Sequence, residues 1–355
     1  MQNETSTRRF PVFDGHNDTL LKLEIDAIKG TERSFFDRSD KGHIDAVRAK
    51  ESGFSGGLFA MFVPSNPDQD FSKAFNPNDP VNFQEVPQPK ALEFTHRMLE
   101  RAERIEAASG GDIVICRSAA ENLAAVDAGK MAISLHIEGA EAIDTEFHAL
   151  EDLYNRGLRS LGLVWSRANA YGSGVPMSFP ASPDTGPGLT AAGRALVKEC
   201  NRLGVLLDVS HLNEKGFWDL AGITDRPIVA SHSNAHALCE SSRNLTDKQL
   251  DAIRESAGLV GVNFHVAFLR PDGKHQKDTP LEVVADHVVY LADRLGVDHV
   301  GLGSDFDGCL PPQDLSDVTG LPPLFEVLRQ RGFDETALDK LAYRNWISML
   351  EKAAA

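Results

Sequence analysis

Phe13-Asp14-Gly15-His16-Asn17-Asp18 sets an imidazole and a carboxylate two residues apart, just after the short apolar run Phe10-Pro11-Val12-Phe13. In a strand, residues i and i+2 share a face. His16 and Asp18 would therefore project together, their Cα atoms about 7 Å apart. Two such groups on one side suit a single divalent cation. One His near one Asp is more often a turn or a hydrogen-bonded pair, so the segment alone decides nothing. The same design recurs, however. Glu138 closes the apolar run 131–138, His211 closes 204–211, His232 closes 227–232 and Asp305 closes 299–305. Titratable groups ending so many runs point to one shared polar site.

The runs themselves must position that site. Eight occur, at 10–13, 56–63, 131–138, 158–165, 204–211, 227–232, 259–265 and 299–305. Near-continuous apolar runs of this length suit parallel strands buried on both faces. Segments 93–108, 190–203, 281–295 and 334–352 read as helices, with Thr190 as an N-cap. Strand and helix alternating eight times predicts one (β/α)8 TIM barrel spanning residues 1–355, with its chemistry at the carboxyl ends of the strands. No GxGxxG follows the first strand, which argues against a dinucleotide-binding fold. Residues 64–90 and 166–188, rich in Pro, Gly, Asn, Asp and Ser, read as long lid or binding loops.

Composition narrows the partners. Of 355 residues, 42% are hydrophobic and 25% charged, an ordinary globular balance. The net charge of −16 and the lack of a basic run exclude nucleic acid as a partner. No apolar stretch of membrane-spanning length and no basic amphipathic stretch occur, so no membrane partner is expected. The polar first residues lack a leader's apolar core, and Cys116, Cys200, Cys239 and Cys309 are widely spaced. Both features favour a reducing, cytoplasmic setting.

Together the segments Asp14-Gly15-His16-Asn17-Asp18, Ile137-Glu138-Gly139, Gly188-Leu189-Thr190, Asp208-Val209-Ser210-His211, Ala230-Ser231-His232-Ser233-Asn234, Ser242-Arg243-Asn244-Leu245 and Gly303-Ser304-Asp305-Phe306-Asp307-Gly308 resemble the membrane (renal) dipeptidase family of zinc metallopeptidases. They follow that family's order across most of the chain. The resemblance implies two zinc ions per chain: His16 and Asp18 on the first, His211 and His232 on the second, and Glu138 bridging both. A carboxylate has two oxygens and can link two cations, whereas a neutral imidazole offers one lone pair. The implied reaction is hydrolysis of a dipeptide with a free C-terminal carboxylate by a hydroxide held between the zinc ions. Asp305 would shuttle the proton, its alternative role being a helix N-cap. Arg243 would bind the substrate carboxylate, its alternative being a surface salt bridge. Asp307 reads as structural.

Two positions depart from the family pattern. Trp165 stands where many members carry a His, and a Trp cannot titrate. Arg167 and Asn169, in the same segment, are taken with it as substrate contacts, Arg167 for the electrostatic role. His265 stands near the place of a common Tyr and is either a substrate contact or a barrel-rim residue. His136, His236 and His299 read as supporting residues. The resemblance also implies a homodimer. A metal-dependent amidohydrolase acting on another small amide, such as an N-acyl amino acid or a lactam, is the alternative function.

Overall fold

The structure, a computed structural model, describes residues 9–65 and 80–355. It contains nine strands: β1 (Val12–Asn17), β2 (Phe54–Phe62), β3 (Ile113–Ile115), β4 (Met131–Glu138), β5 (Leu158–Gly162), β6 (Leu206–Asp208), β7 (Val229–Ala230), β8 (Leu259–Val262) and β9 (Val300–Leu302). Every pairing between them is parallel. β4 is buried at all its positions, which is why its sequence shows no polar alternation. One of its edges pairs with β2. The other is divided, with β3 on 131–133 and β5 on 135–138. β3 thus lies off the main path, and eight strands run in the order β1-β2-β4-β5-β6-β7-β8-β9. Asp305 N donates to His16 O at 2.9 Å and Asp18 N to Phe306 O at 2.8 Å, so β1 meets the end of β9 and the ring is nearly closed. The predicted (β/α)8 barrel is the fold.

Helix boundaries follow local chemistry. Thr190 caps the helix Ala191–Leu203 by accepting from Gly193 N at 3.0 Å, and Gly204 ends it in the left-handed conformation at φ 70. Leu281–Leu295 is helical as expected. The segment expected as one helix over 334–352 is instead Glu335–Asp339, a π-helical stretch Lys340–Arg344, and Asn345–Ala354. That local widening accompanies the seating of Trp346. Its fully buried ring occupies the space that Gly15 of β1, Gly261 of β8 and Gly301 of β9 leave open. A Cβ on these glycines would lie 2.2, 2.9 and 2.5 Å from the indole, and Trp346 Nε1 donates to Leu302 O at 2.9 Å.

Several strands stop short of the apolar runs that predict them. β5 ends at Gly162, β6 at Asp208 and β9 at Leu302. The chain leaves the ladder before its polar residues, and His211 and Asp305 take left-handed backbone at φ 67 and 59. β3 is a three-residue strand that none of the eight apolar runs covers. Of the loop expected at 64–90, residues 66–79 lie outside the described residues. Pro80–Phe83 form a 3-10 turn, and a helix already begins at Gln88. Residues 166–188 carry no helix or strand, only isolated bridges. No helix among the described residues is long and apolar enough to cross a membrane.

Candidate metal centre and active site

Glu138, the last residue of β4, divides its two oxygens between two groups of side chains. Oε2 lies 3.7 Å from His16 Nε2, which is itself 3.4 Å from Asp18 Oδ2. Oε1 lies 2.9 Å from His211 Nε2 and 3.4 Å from His232 Nε2. His16 ends β1 in the company of Asn17, and Asp18 follows at the head of the helix Thr19–Ile28. His211 and His232 stand in the loops after β6 and β7. All five are buried. Asp305 joins them, with one donor atom from each of His16, Asp18 and Asp305 falling within 4.8 Å of the others.

The donor set has more lone pairs than protons. Among the described residues, both ring nitrogens of His16 and Asp18 Oδ1 lack a hydrogen-bond partner although buried, a costly state unless a further group satisfies them. His211 Nε2 and His232 Nε2 lie 3.1 Å apart while both face Glu138 Oε1. Their outer nitrogens are engaged. Ser231 Oγ donates to Asp208 Oδ2 at 2.5 Å, so its lone pair receives the Nδ1–H of His232 at 2.7 Å. That fixes the tautomer, with the Nε2 lone pair aimed inward. His211 Nδ1 lies 2.8 Å from Ser166 Oγ, so its outer nitrogen is also engaged.

Electrostatics agree with this arrangement. Burial, reinforced by Arg243 and His16, holds His211 well below the ordinary imidazole range. Burial, His16 and Arg243 do the same for His232, so both rings are neutral. Burial raises Glu138 well above the usual carboxylate range. It lifts Asp305 to about 6, with Asp18 adding to the rise while His16, Asn263 and Arg243 oppose it. Burial alone would lower His16, but Glu138, Asp18 and Asp305 outweigh it and raise the ring to about 10. Three carboxylates thus draw a proton into a buried place where cations would serve better. Neutral imidazoles with inward lone pairs, orphaned acceptors and a carboxylate split two ways fit divalent metal ions.

The remaining residues sort by what they touch. Arg243 is buried rather than on the surface. Its Nη2 donates to His232 O at 3.1 Å, its Nε has no partner among the described residues, and its guanidinium lies 5.4 Å from the Phe268 ring. Asp305 caps no helix. Its Oδ2 accepts from Asn263 Nδ2 at 2.9 Å. Asp307 accepts from Thr19 Oγ1 at 2.9 Å and His43 N at 2.7 Å, the structural part expected of it. Trp165 is stacked on Phe83 with centroids 5.4 Å apart and lies 5.8 Å from the His211 ring, forming an apolar wall beside the ligands.

Arg167 and Asn169 are already engaged by the protein. Arg167 donates to Glu141 at 2.7 Å, Ser65 Oγ at 3.0 Å and Val63 O at 2.7 Å. Asn169 donates to Leu163 O at 2.8 Å and accepts from Tyr171 N at 2.9 Å. These bonds give both residues the work of bracing loops. His265 accepts Leu310 N–H on Nδ1 at 3.0 Å, and burial, aided by His275, lowers it to about 3. His136 packs edge-on to His16 and lies 2.9 Å from Ser160 Oγ, the supporting place expected of it. Sequence reading missed Ser166, Asp208, Ser231 and Asn263. Asp208 and Ser231 sit inside quoted motifs, but a group that acts by a hydrogen bond to another side chain carries no spacing signal of its own.

The family model described as membrane dipeptidase (peptidase family M19) matches residues 2–355. A metallopeptidase of Rhodobacter sphaeroides, solved with a phosphinate mimic of the dipeptide L-Ala-D-Ala, is 47% identical. It is matched over 98% of this chain and 100% of its own, with a TM-score of 0.90. An uncharacterized protein from the pqqA 5′ region of Klebsiella pneumoniae is 50% identical over 260 residues, 73% of this chain and 96% of that protein. An uncharacterized dipeptidase of Schizosaccharomyces pombe is 30% identical over 319 residues, 88% of this chain and 73% of that one. The chain belongs to the membrane dipeptidase family and is a metal-dependent dipeptidase.

Proposed function

We propose that the chain hydrolyses dipeptides with a free C-terminal carboxylate using two zinc ions, one held by His16 and Asp18, the other by His211 and His232, with Glu138 between them. The observation that carries this is the division of Glu138's oxygens, each facing a different pair of ligands. When bound, such ions supply Lewis acidity, polarising a carbonyl and bringing the pKa of water toward neutrality. The protein supplies the rest. Ser231 and Ser166 hold the imidazoles in the ligating orientation. Arg243, buried with an unpaired Nε, receives the substrate carboxylate and so fixes which peptide bond reaches the site. Asp305, held by Asn263 beside His16 and Asp18, carries a proton to the leaving amine. Trp165 and Phe83 exclude water along the His211 side and offer an apolar contact to a substrate side chain.

The relative that holds a mimic of L-Ala-D-Ala supports small dipeptides, including those with a D-residue at the carboxyl end. The expected homodimer and cytoplasmic setting belong to the same proposal; light scattering of the purified protein checks the first. Metal analysis with a dipeptide-library assay tests the central claim. His211→Ala should lose one metal and most activity, and a fully active enzyme with one metal or none would sink the dinuclear reading.

A further inference from the structure

Asn263 stands just past the end of β8 and is buried. Its Oδ1 accepts His265 N–H at 2.6 Å. A flipped amide would set its NH2 against that N–H, so the orientation is fixed and only a donor can face Asp305. Asn234 clamps the backbone on both sides, accepting from Asn263 N at 3.2 Å and donating to Asn263 O at 2.9 Å. The Nδ2–H of Asn263 therefore meets Asp305 Oδ2 as a fixed donor at 2.9 Å. Asp305 is itself held, its N–H bound to His16 O and its φ at 59. Its other oxygen, Oδ1, has no hydrogen bond among the described residues. A Cβ placed on Gly308 would lie 2.6 Å from Oδ1 and 2.1 Å from Asp18 Oδ2, so Oδ1 lies on the Asp18 side of the site.

We propose that Asn263 is a positioning residue that decides which oxygen of Asp305 handles the proton. With Oδ2 held as an acceptor, the proton released as water adds to the carbonyl carbon is taken on Oδ1. As the C–N bond breaks, its electron pair stays on the amine nitrogen, which takes that proton, and the carboxylate is restored. The proposal rests on the reading of Asp305 as the proton carrier, and its test separates the two.

Asn263→Ala and Asn263→Asp are made in the wild-type and Asp305→Asn backgrounds of the zinc-loaded enzyme. kcat and KM on L-Ala-D-Ala, zinc content and melting temperature are measured. Asn263→Asp keeps the shape and the bond from His265 N–H but removes the donor. It and Asn263→Ala should each lower kcat by about 10- to 100-fold, with KM and zinc content little changed. On Asp305→Asn, Asn263→Ala should cost less than about threefold more, because the group it acts through is gone. Near-wild-type kcat for Asn263→Asp, loss of zinc from it, or an equal loss from Asn263→Ala in both backgrounds would overturn the role of Asn263 alone. Near-wild-type kcat for Asp305→Asn by itself would overturn the reading on which it rests.

Discussion

Replacing Arg243 with Met separates a binding arginine from a structural one. Arg48 shows what a structural arginine looks like. Its Nε donates to Asp45 at 2.6 Å, its Nη1 to Asp317 at 2.7 Å and its Nη2 to Gly42 O at 3.0 Å. Removing it leaves the buried Asp45 without its cation, so Arg48→Met should cost about 3–5 kcal/mol of stability. Arg243 is buried just as deeply but, among the described residues, keeps a single side-chain bond, to His232 O, with Nε unpaired. Burial pushes its guanidinium below the ordinary range, against Asp305, Glu138 and Asp208. Arg243→Met gives up one charged hydrogen bond, about 1.5–3 kcal/mol, and recovers about 1–3 kcal/mol from the unpaired donor it removes. The two nearly cancel, so melting of the substrate-free, metal-loaded enzyme should move by only about 2–4 °C. Catalysis should not escape. Losing the carboxylate's partner should lower kcat/KM on free dipeptides about 10- to 150-fold, mostly through KM. A C-terminally amidated dipeptide should be a poor substrate for wild type and change little in the variant. Calorimetry and paired kinetics measure both sides. A melting loss as large as that of Arg48→Met, or wild-type enzyme that cleaves amidated and free dipeptides equally, would refute the reasoning.

Three further outcomes are expected. Asp305→Asn keeps an acceptor for Asn263, so metal content and melting should hold while kcat falls by about 10²–10⁴-fold; near-wild-type turnover would remove Asp305 from proton transfer. Gly308→Ala drives a methyl against Asp18 Oδ2 and Asp305 Oδ1, so metal should leave more readily and kcat should fall, as metal titration and kinetics would show; unchanged values would mean the loop shifts freely. Chelation should lower the melting temperature by several degrees and zinc should restore it, because ions that bind only the folded chain stabilise it by mass action. Melting indifferent to chelator would speak against ions held at Glu138.

The barrel and the buried cluster of imidazoles and carboxylates were legible because both rest on type and period. A parallel strand buried on two faces prints as an apolar run, and His16, Glu138, His211, His232 and Asp305 each close such a run. The ends of the strands were less legible. The runs continue through Trp165 and His211, but the ladder stops earlier, because a backbone turning to present a side chain can no longer pair. Arg167 shows a different limit. Its residue type fits a substrate anion and Glu141 equally well, and only the fold decides between them. Ser231 reaches His232 while bonded to Asp208, and Asn263 reaches Asp305 while bonded to His265 and Asn234, relations set by the fold with no periodicity to find.

Trp346 ties the far end of the chain to the catalytic end of the barrel. One indole serves β1, β8 and β9 at once, so the glycines at 15, 261 and 301 are not independent choices. A larger residue at 301 demands a smaller one at 346, whereas at 15 and 261 a Cβ would also meet Ser231 O at 2.5 and 2.0 Å; a smaller residue at 346 leaves three strands with a shared void. In homologous chains positions 301 and 346 should covary, while 15 and 261 stay glycine. The last helix also cannot be treated as trimmable. Cutting ahead of residue 346 would loosen the strands that lead to His16 and Asp305, and the damage would register first as weakened metal retention.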